Sequence, residues 1–186
     1  MDKITNTQKR ISKTFSEIIR KADYKGEPVP YGYRLVPCTV GENIAVCLTI
    51  CQDEAEDIQG TFWEYVDRDY SLEDIIDESN CIGELNPKSL DGLWDKKSLS
   101  DLLLNPIYIK ADENAYEYFV ESGCIMHNPP EDFTEGNGCL VFSDHSDSMS
   151  RYIIKGCHVI LVPLVGIVPF DTWLKAREKW FRNRGN

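Results

Sequence analysis

The sequence predicts an α+β fold in a single globular domain over residues 1–186: a mainly antiparallel sheet, with amphipathic helices from both ends of the chain packed on it and short helices inserted in the middle. Three observations carry this expectation. Helical-period apolar stripes stand at the two ends, strand-like apolar runs fill the interior, and the two kinds of segment do not alternate as repeated βαβ units require. With 42% hydrophobic and 11% aromatic residues, a chain of 186 residues buries enough surface for a proper core and lies far from disordered compositions.

Taken in order, residues 7–23 place Ile11, Phe15, Ile18 and Ile19 on one helical stripe with cations opposite, and Asn6 or Thr7 is available as a cap. Gly26 and Pro28-Val29-Pro30 stop this helix, because proline has no N–H and biases its predecessor away from the α region. Tyr33–Val40 and Asn43–Cys51 read as a hairpin around Gly41. Both faces of its second strand are apolar, which predicts a central position. Thr61–Val66 reads as a further strand from its aromatic and β-branched content.

Ser71-Leu72-Glu73-Asp74 and Ser98-Leu99-Ser100-Asp101 have the form of helix N-termini, with carboxylates where the helix dipole favours them. A third interior helix is expected over Asp112–Val120, with Ala115, Tyr116, Phe119 and Val120 inward and Gly123 in the left-handed region past its end. Strand-like runs follow at Cys124–His127, Gly138–Phe142 and Tyr152–Ile154. The apolar stretch Cys157–Val168 reads as buried strand interrupted at Pro163 and Gly166. The last helix begins at Asp171, with Trp173, Leu174, Ala176, Trp180 and Phe181 inward and Lys/Arg late.

No apolar stretch is long enough to span a bilayer, no secretory signal is visible, and a cytoplasmic location is the expectation. Seven cysteines, an odd number without any Cys-x-x-Cys pair, read as reduced and mostly shielded thiols.

The net charge of −11 is unevenly spread: residues 1–25 carry +4, residues 171–186 carry +3 and residues 26–170 carry −18. Such a middle repels nucleic acid and anionic membrane, whose binding rests on Lys and Arg, and favours a basic protein surface as partner. Between Asp53 and Glu78 lie eleven acidic side chains and one base, Arg68, interleaved with large aromatics. A solvated face is the simplest account of such a run. Its functional counterpart is a binding surface of Phe62, Trp63, Glu64, Asp67, Asp69, Glu73, Asp74, Asp77 and Glu78, whose carboxylates imitate phosphates and occupy the basic groove of a nucleic-acid-handling protein.

A second constellation runs from His127 to Cys139 and on through Gly156-Cys157-His158-Val159. A thiol needs a nearby base to hold it as thiolate, and a histidine brought beside Cys139 would serve. In Gly138-Cys139 and Gly156-Cys157-His158-Val159 the segment resembles L,D-transpeptidase-type domains, which implies Cys139 as nucleophile and His127 as its base. Gly136-Asn137 stands where that family has Ser-His, and no Arg follows Cys139. An ordinary strand entered from a Gly-Asn-Gly turn, with Cys139 inside, is the competing account. Cys124, His127, Cys139 and His145 are of zinc-ligand type, but residues three apart on a strand point to opposite faces, so no metal site is expected. The familiar nucleotide, zinc-protease and serine-hydrolase signatures are absent, and no cofactor is expected.

The leading expectation is therefore a non-catalytic, acidic protein-binding module, of the kind a phage makes to inhibit a nucleic-acid-handling machine; the alternative is a Cys139/His127 thiol enzyme.

Overall fold

The computed structural model describes residues 6–21, 29–40, 43–83, 86, 89, 91–134, 136–143 and 154–184. Its order is α1 (Asn6–Lys21), β1 (Tyr33–Val40), β2 (Asn43–Ile50), α2 (Gln52–Val66), α3 (Leu72–Ile82), α4 (Lys96–Leu103), β3 (Ile109–Lys110), α5 (Glu113–Glu121), β4 (Ile125–Met126), β5 (Asn137–Phe142), β6 (His158–Val165), β7 (Val168–Pro169) and α6 (Phe170–Arg184). This is an α+β fold. The chain divides into two compact units, one of residues 1–27 and 106–170, the other of residues 28–105 and 171–186. It passes between them at Pro28, at Pro106 and after Phe170.

The first unit holds two small sheets. In one, β6 lies between β4, parallel to it, and β5, antiparallel to it; in the other, β3 and β7 pair in parallel. The long ladders are thus antiparallel and the parallel pairings are confined to two-residue strands. Val159, Ile160, Leu161 and Val162 of β6 are buried in succession, as a strand covered on both faces requires.

β6 does not break at Pro163, contrary to the sequence expectation. Asn137 pairs with Val165 and Cys139 with Leu161, so the ladder shifts register across Pro163, and a bulge there needs no N–H from the proline. Asn137 is buried and holds the bulge: its Nδ2 donates to the carbonyls of Val162 at 2.9 Å and Leu164 at 3.2 Å, while its Oδ1 accepts from Gln8 of α1 at 3.2 Å. Gly138 and Gly166 are close-approach positions. A Cβ on Gly138 would stand 2.2 Å from the Ile107 carbonyl oxygen, and one on Gly166 would stand 1.8 Å from that of Ile109.

Helix α1 packs on β6, with Ile11 fully buried and Arg10 ion-paired to the buried carboxylate of Asp132. Asp132 also accepts from Asn128, whose own Oδ1 takes the Leu161 N–H. Helix α5 is capped by Asp112 and buries Ala115 and Phe119, with Gly123 at φ 78° beyond its end. Val120 departs from its expected inward place, at 46% exposure. Ile154 is not in a strand, and Tyr152 and Ile153 lie outside the described residues, as do Gly26, Gly41 and the side chains of Ile18 and Ile19.

In the second unit the expected hairpin β1–β2 forms, Val40 opposite Asn43, yet among the described residues it is a two-stranded sheet rather than the centre of a larger one, and Leu35 is 57% exposed. Thr61–Val66 is not a strand but the C-terminal half of α2. Ala55, Ile58, Phe62 and Tyr65 recur at helical spacing and are all buried, and this burial overrides the β-propensity of the aromatics. Ser71 caps α3 through a capping box with Asp74, and Gly83 closes it at φ 80°. Helix α4 begins at Lys96, two residues before the expected Ser98, because its cap is Asp95, which takes the Ser98 N–H at 2.7 Å. Helix α6 buries Trp173, Ala176, Arg177 and Trp180, whereas Phe181 is 42% exposed.

Candidate functional site

The acidic run folds into α2, a five-residue connection from Asp67 to Ser71 and α3, and the structure sorts its carboxylates by what they touch. Some are structural ties. Glu54 accepts the Gly32 N–H at 2.7 Å and Asp57 accepts the Tyr31 hydroxyl at 2.8 Å, fixing the entry to the hairpin against α2. Asp74 accepts from the Ser71 N–H and hydroxyl, and those bonds hold its carboxyl below the ordinary range. Two more are ion-paired: Asp69 with Lys179 of α6, and Glu73 with Lys96 at the start of α4, in each case a hydrogen bond from the lysine lowering the carboxyl pKa.

Of the remainder, all but Glu64 face solvent. Asp53, Asp67, Asp77 and Glu78 are exposed and have no ion pair among the described residues, and Glu56 accepts only from Gln52 one turn earlier. Of the residues expected to form a binding surface, Phe62 is removed from it, being buried, and Glu64 is half-buried. Trp63 stays on the surface at 52% exposure, an apolar area large enough to anchor a partner. The Arg68 guanidinium lies over its ring at 5.2 Å and over that of Tyr70 at 4.6 Å, so the one base of the run is turned onto aromatics.

Lys179 is the residue that sequence reasoning missed. Its ammonium has three donors, and all three are used: the carbonyls of Tyr65 at 2.7 Å and Tyr70 at 2.9 Å, and the Asp69 carboxylate at 2.6 Å. It also lies over the Tyr65 ring at 4.5 Å. The connection it grips contains Asp69 at φ 58°, in the left-handed region that Asp tolerates better than most residues. Burial pushes the Tyr65 phenol up to about 12, so it stays neutral beneath this cation. Only the late-cation pattern of α6 hinted at such a role.

Helix α2 carries one further anomaly. Gly60 sits inside it, and a Cβ built there would meet nothing within 4 Å. Glycine in a helix interior costs about 1 kcal/mol relative to alanine. Gly60 has neither the close neighbour of Gly138 and Gly166 nor the positive φ of Gly83 and Gly123.

The second constellation is not assembled as a thiol site. Cys139 is fully buried, and desolvation alone drives its thiol pKa far up, the reverse of an activated nucleophile. His127 makes no hydrogen bond to it. Its Nε2 lies instead 2.8 Å from Nδ1 of His158, with the two ring planes within 14°. Cys124 donates to the Ile154 carbonyl, His145 lies outside the described residues, and among the described residues no three His, Cys, Asp or Glu side chains cluster as metal ligands. No helix among the described residues is long and apolar enough to cross a membrane. No family model, no curated protein and no solved structure matches the chain.

Proposed function

We propose that this protein is a non-catalytic binding module that docks through the acidic α2–α3 surface onto a basic surface of another protein, one that handles nucleic acid in the cytoplasm. The observation that carries this reading is Trp63, a half-exposed indole on a firmly built helix, flanked by the unpaired carboxylates of Glu56 and Asp67 and followed on α3 by Asp77 and Glu78. Aromatic area supplies affinity in such interfaces, and charge supplies steering and register. The buried, high-pKa Cys139 leaves the thiol-enzyme alternative without an activated nucleophile.

The test reverses only charges that hold nothing else: Asp67, Asp77 and Glu78 changed together to Lys. Partners captured from lysate on the wild-type protein at low salt should be lost at high salt and lost with this variant, whose unfolding midpoint should not move. A salt-insensitive partner that the variant retains would reduce the acidic face to a solubility surface.

A further inference from the structure

The row of residues that α2 turns to solvent runs straight along the helix: Gln52, Glu56, Gln59 and Trp63 are exposed, and Asp67 continues the row past the last turn. These positions recur every three or four residues over about 22 Å, the spacing at which helical side chains line up on one face. Gly60 stands beside Gln59 in this row, one turn from Glu56, and a Cβ built there would meet nothing within 4 Å among the described residues. The helix therefore gives up stability at Gly60 for no contact among the described residues.

We infer that the occupant of this face is a basic amphipathic helix of the partner, laid along α2 with its backbone closest at Gly60. The inference rests on the acidic binding surface proposed above and names what fits it. Packing two helices brings their axes within about 8–10 Å, the lower end requiring a small residue at the crossing, which Gly60 supplies. The row carries Glu56 near one end and Asp67 at the other, and the Arg68 guanidinium covers part of the Trp63 ring between them, so its complement has Lys or Arg towards both ends and an apolar residue against the part of Trp63 left exposed. A helix repeats side chains at the same 5.4 Å pitch as α2, whereas an extended strand repeats them at about 6.6–6.8 Å on one face and falls out of step along the row. Nucleic acid is excluded by the sign of the charge.

The probe is a synthetic 20-residue Lys/Ala/Leu peptide with a continuous amphipathic face, compared with a scrambled peptide of equal composition and charge. Fluorescence anisotropy at low salt should show saturable binding of the first and at least tenfold weaker binding of the second. Gly60→Leu should weaken the amphipathic peptide at least tenfold while raising the thermal midpoint, so that lost binding does not reflect lost folding, and Trp63→Ala should weaken it comparably. Equal binding of both peptides, or undiminished binding by Gly60→Leu, would overturn the helix inference and leave the acidic surface standing. Binding of neither peptide would overturn both.

Discussion

Lys179→Met removes one ammonium from a site where it is only 12% exposed and has three acceptors. Two of those acceptors are backbone carbonyls, of Tyr65 near the end of α2 and of Tyr70 just before the cap of α3, and neither regains an equivalent donor from methionine. A hydrogen bond from a charged donor contributes about 1.5–3 kcal/mol, and part of each loss is recovered by water, so the variant should lose about 2–4 kcal/mol. With a urea m-value of about 2 kcal/mol/M, the midpoint falls by about 1–2 M. Asp69→Asn serves as the control. Its carboxylate is largely exposed, and Asn tolerates the same left-handed backbone, so the midpoint should barely move. If Lys179→Met unfolds within a few tenths of a molar of the wild type, or Asp69→Asn loses as much as it does, then Lys179 is a surface ion pair and not the clamp of the α2–α3 connection.

Three other outcomes follow from the same geometry. Asn137→Leu strips the bulge carbonyls of Val162 and Leu164 of their donor and should cost about 2–4 kcal/mol in denaturant unfolding; an unchanged midpoint would show that the bulge holds itself. Iodoacetamide should label exposed Cys81 readily and Cys139 only after denaturation, read by peptide mass; early labelling of Cys139 would restore a reactive thiol there. Because Ser71 lowers the folded-state pKa of Asp74, the contribution of this cap is present above the unfolded carboxylate value and disappears as pH falls through the folded one. Ser71→Ala should therefore cost about 1 kcal/mol at pH 7 and less once the pH has fallen below the folded-state value of Asp74, and an equal cost at both ends of this range would refute the linkage.

The capped helices and the hairpin were legible because their signals are local. Ser71 with Asp74, Asp112 before Glu113, and the apolar runs on either side of Gly41 fix conformation within a few residues. Thr61–Val66 was misread for the opposite reason. Phe62, Trp63 and Tyr65 have high β-propensity, and only a window reaching back to Ala55 and Ile58 exposes the helical period that buries Phe62 and Tyr65 and turns Trp63 outward. The same window would have removed Phe62 from the expected surface and added Glu56. Pro163 was read as a break because a proline at a paired ladder position is one, and nothing near it in sequence reveals Asn137 holding the bulge from 25 residues away. The Asp69–Lys179 pair, 110 residues apart, was illegible for the same reason.

The division of the chain also sets an order of events during synthesis. Residues 28–105 leave the ribosome with the acidic helices α2 and α3 already formed in sequence, but α6, which belongs to the same unit, follows 65 residues of the other unit. Until Lys179 emerges, the carbonyls of Tyr65 and Tyr70 have no ammonium to grip them, and the connection that orients α3 relative to α2 lacks its last fastening. The unit containing β5 and β6 ends at Phe170, so all of its residues are synthesised before Lys179. A nascent chain therefore carries α2 and α3 with their connection unfastened while the 65 residues of the other unit are made, and the acidic helices are the last part of the fold to be fixed.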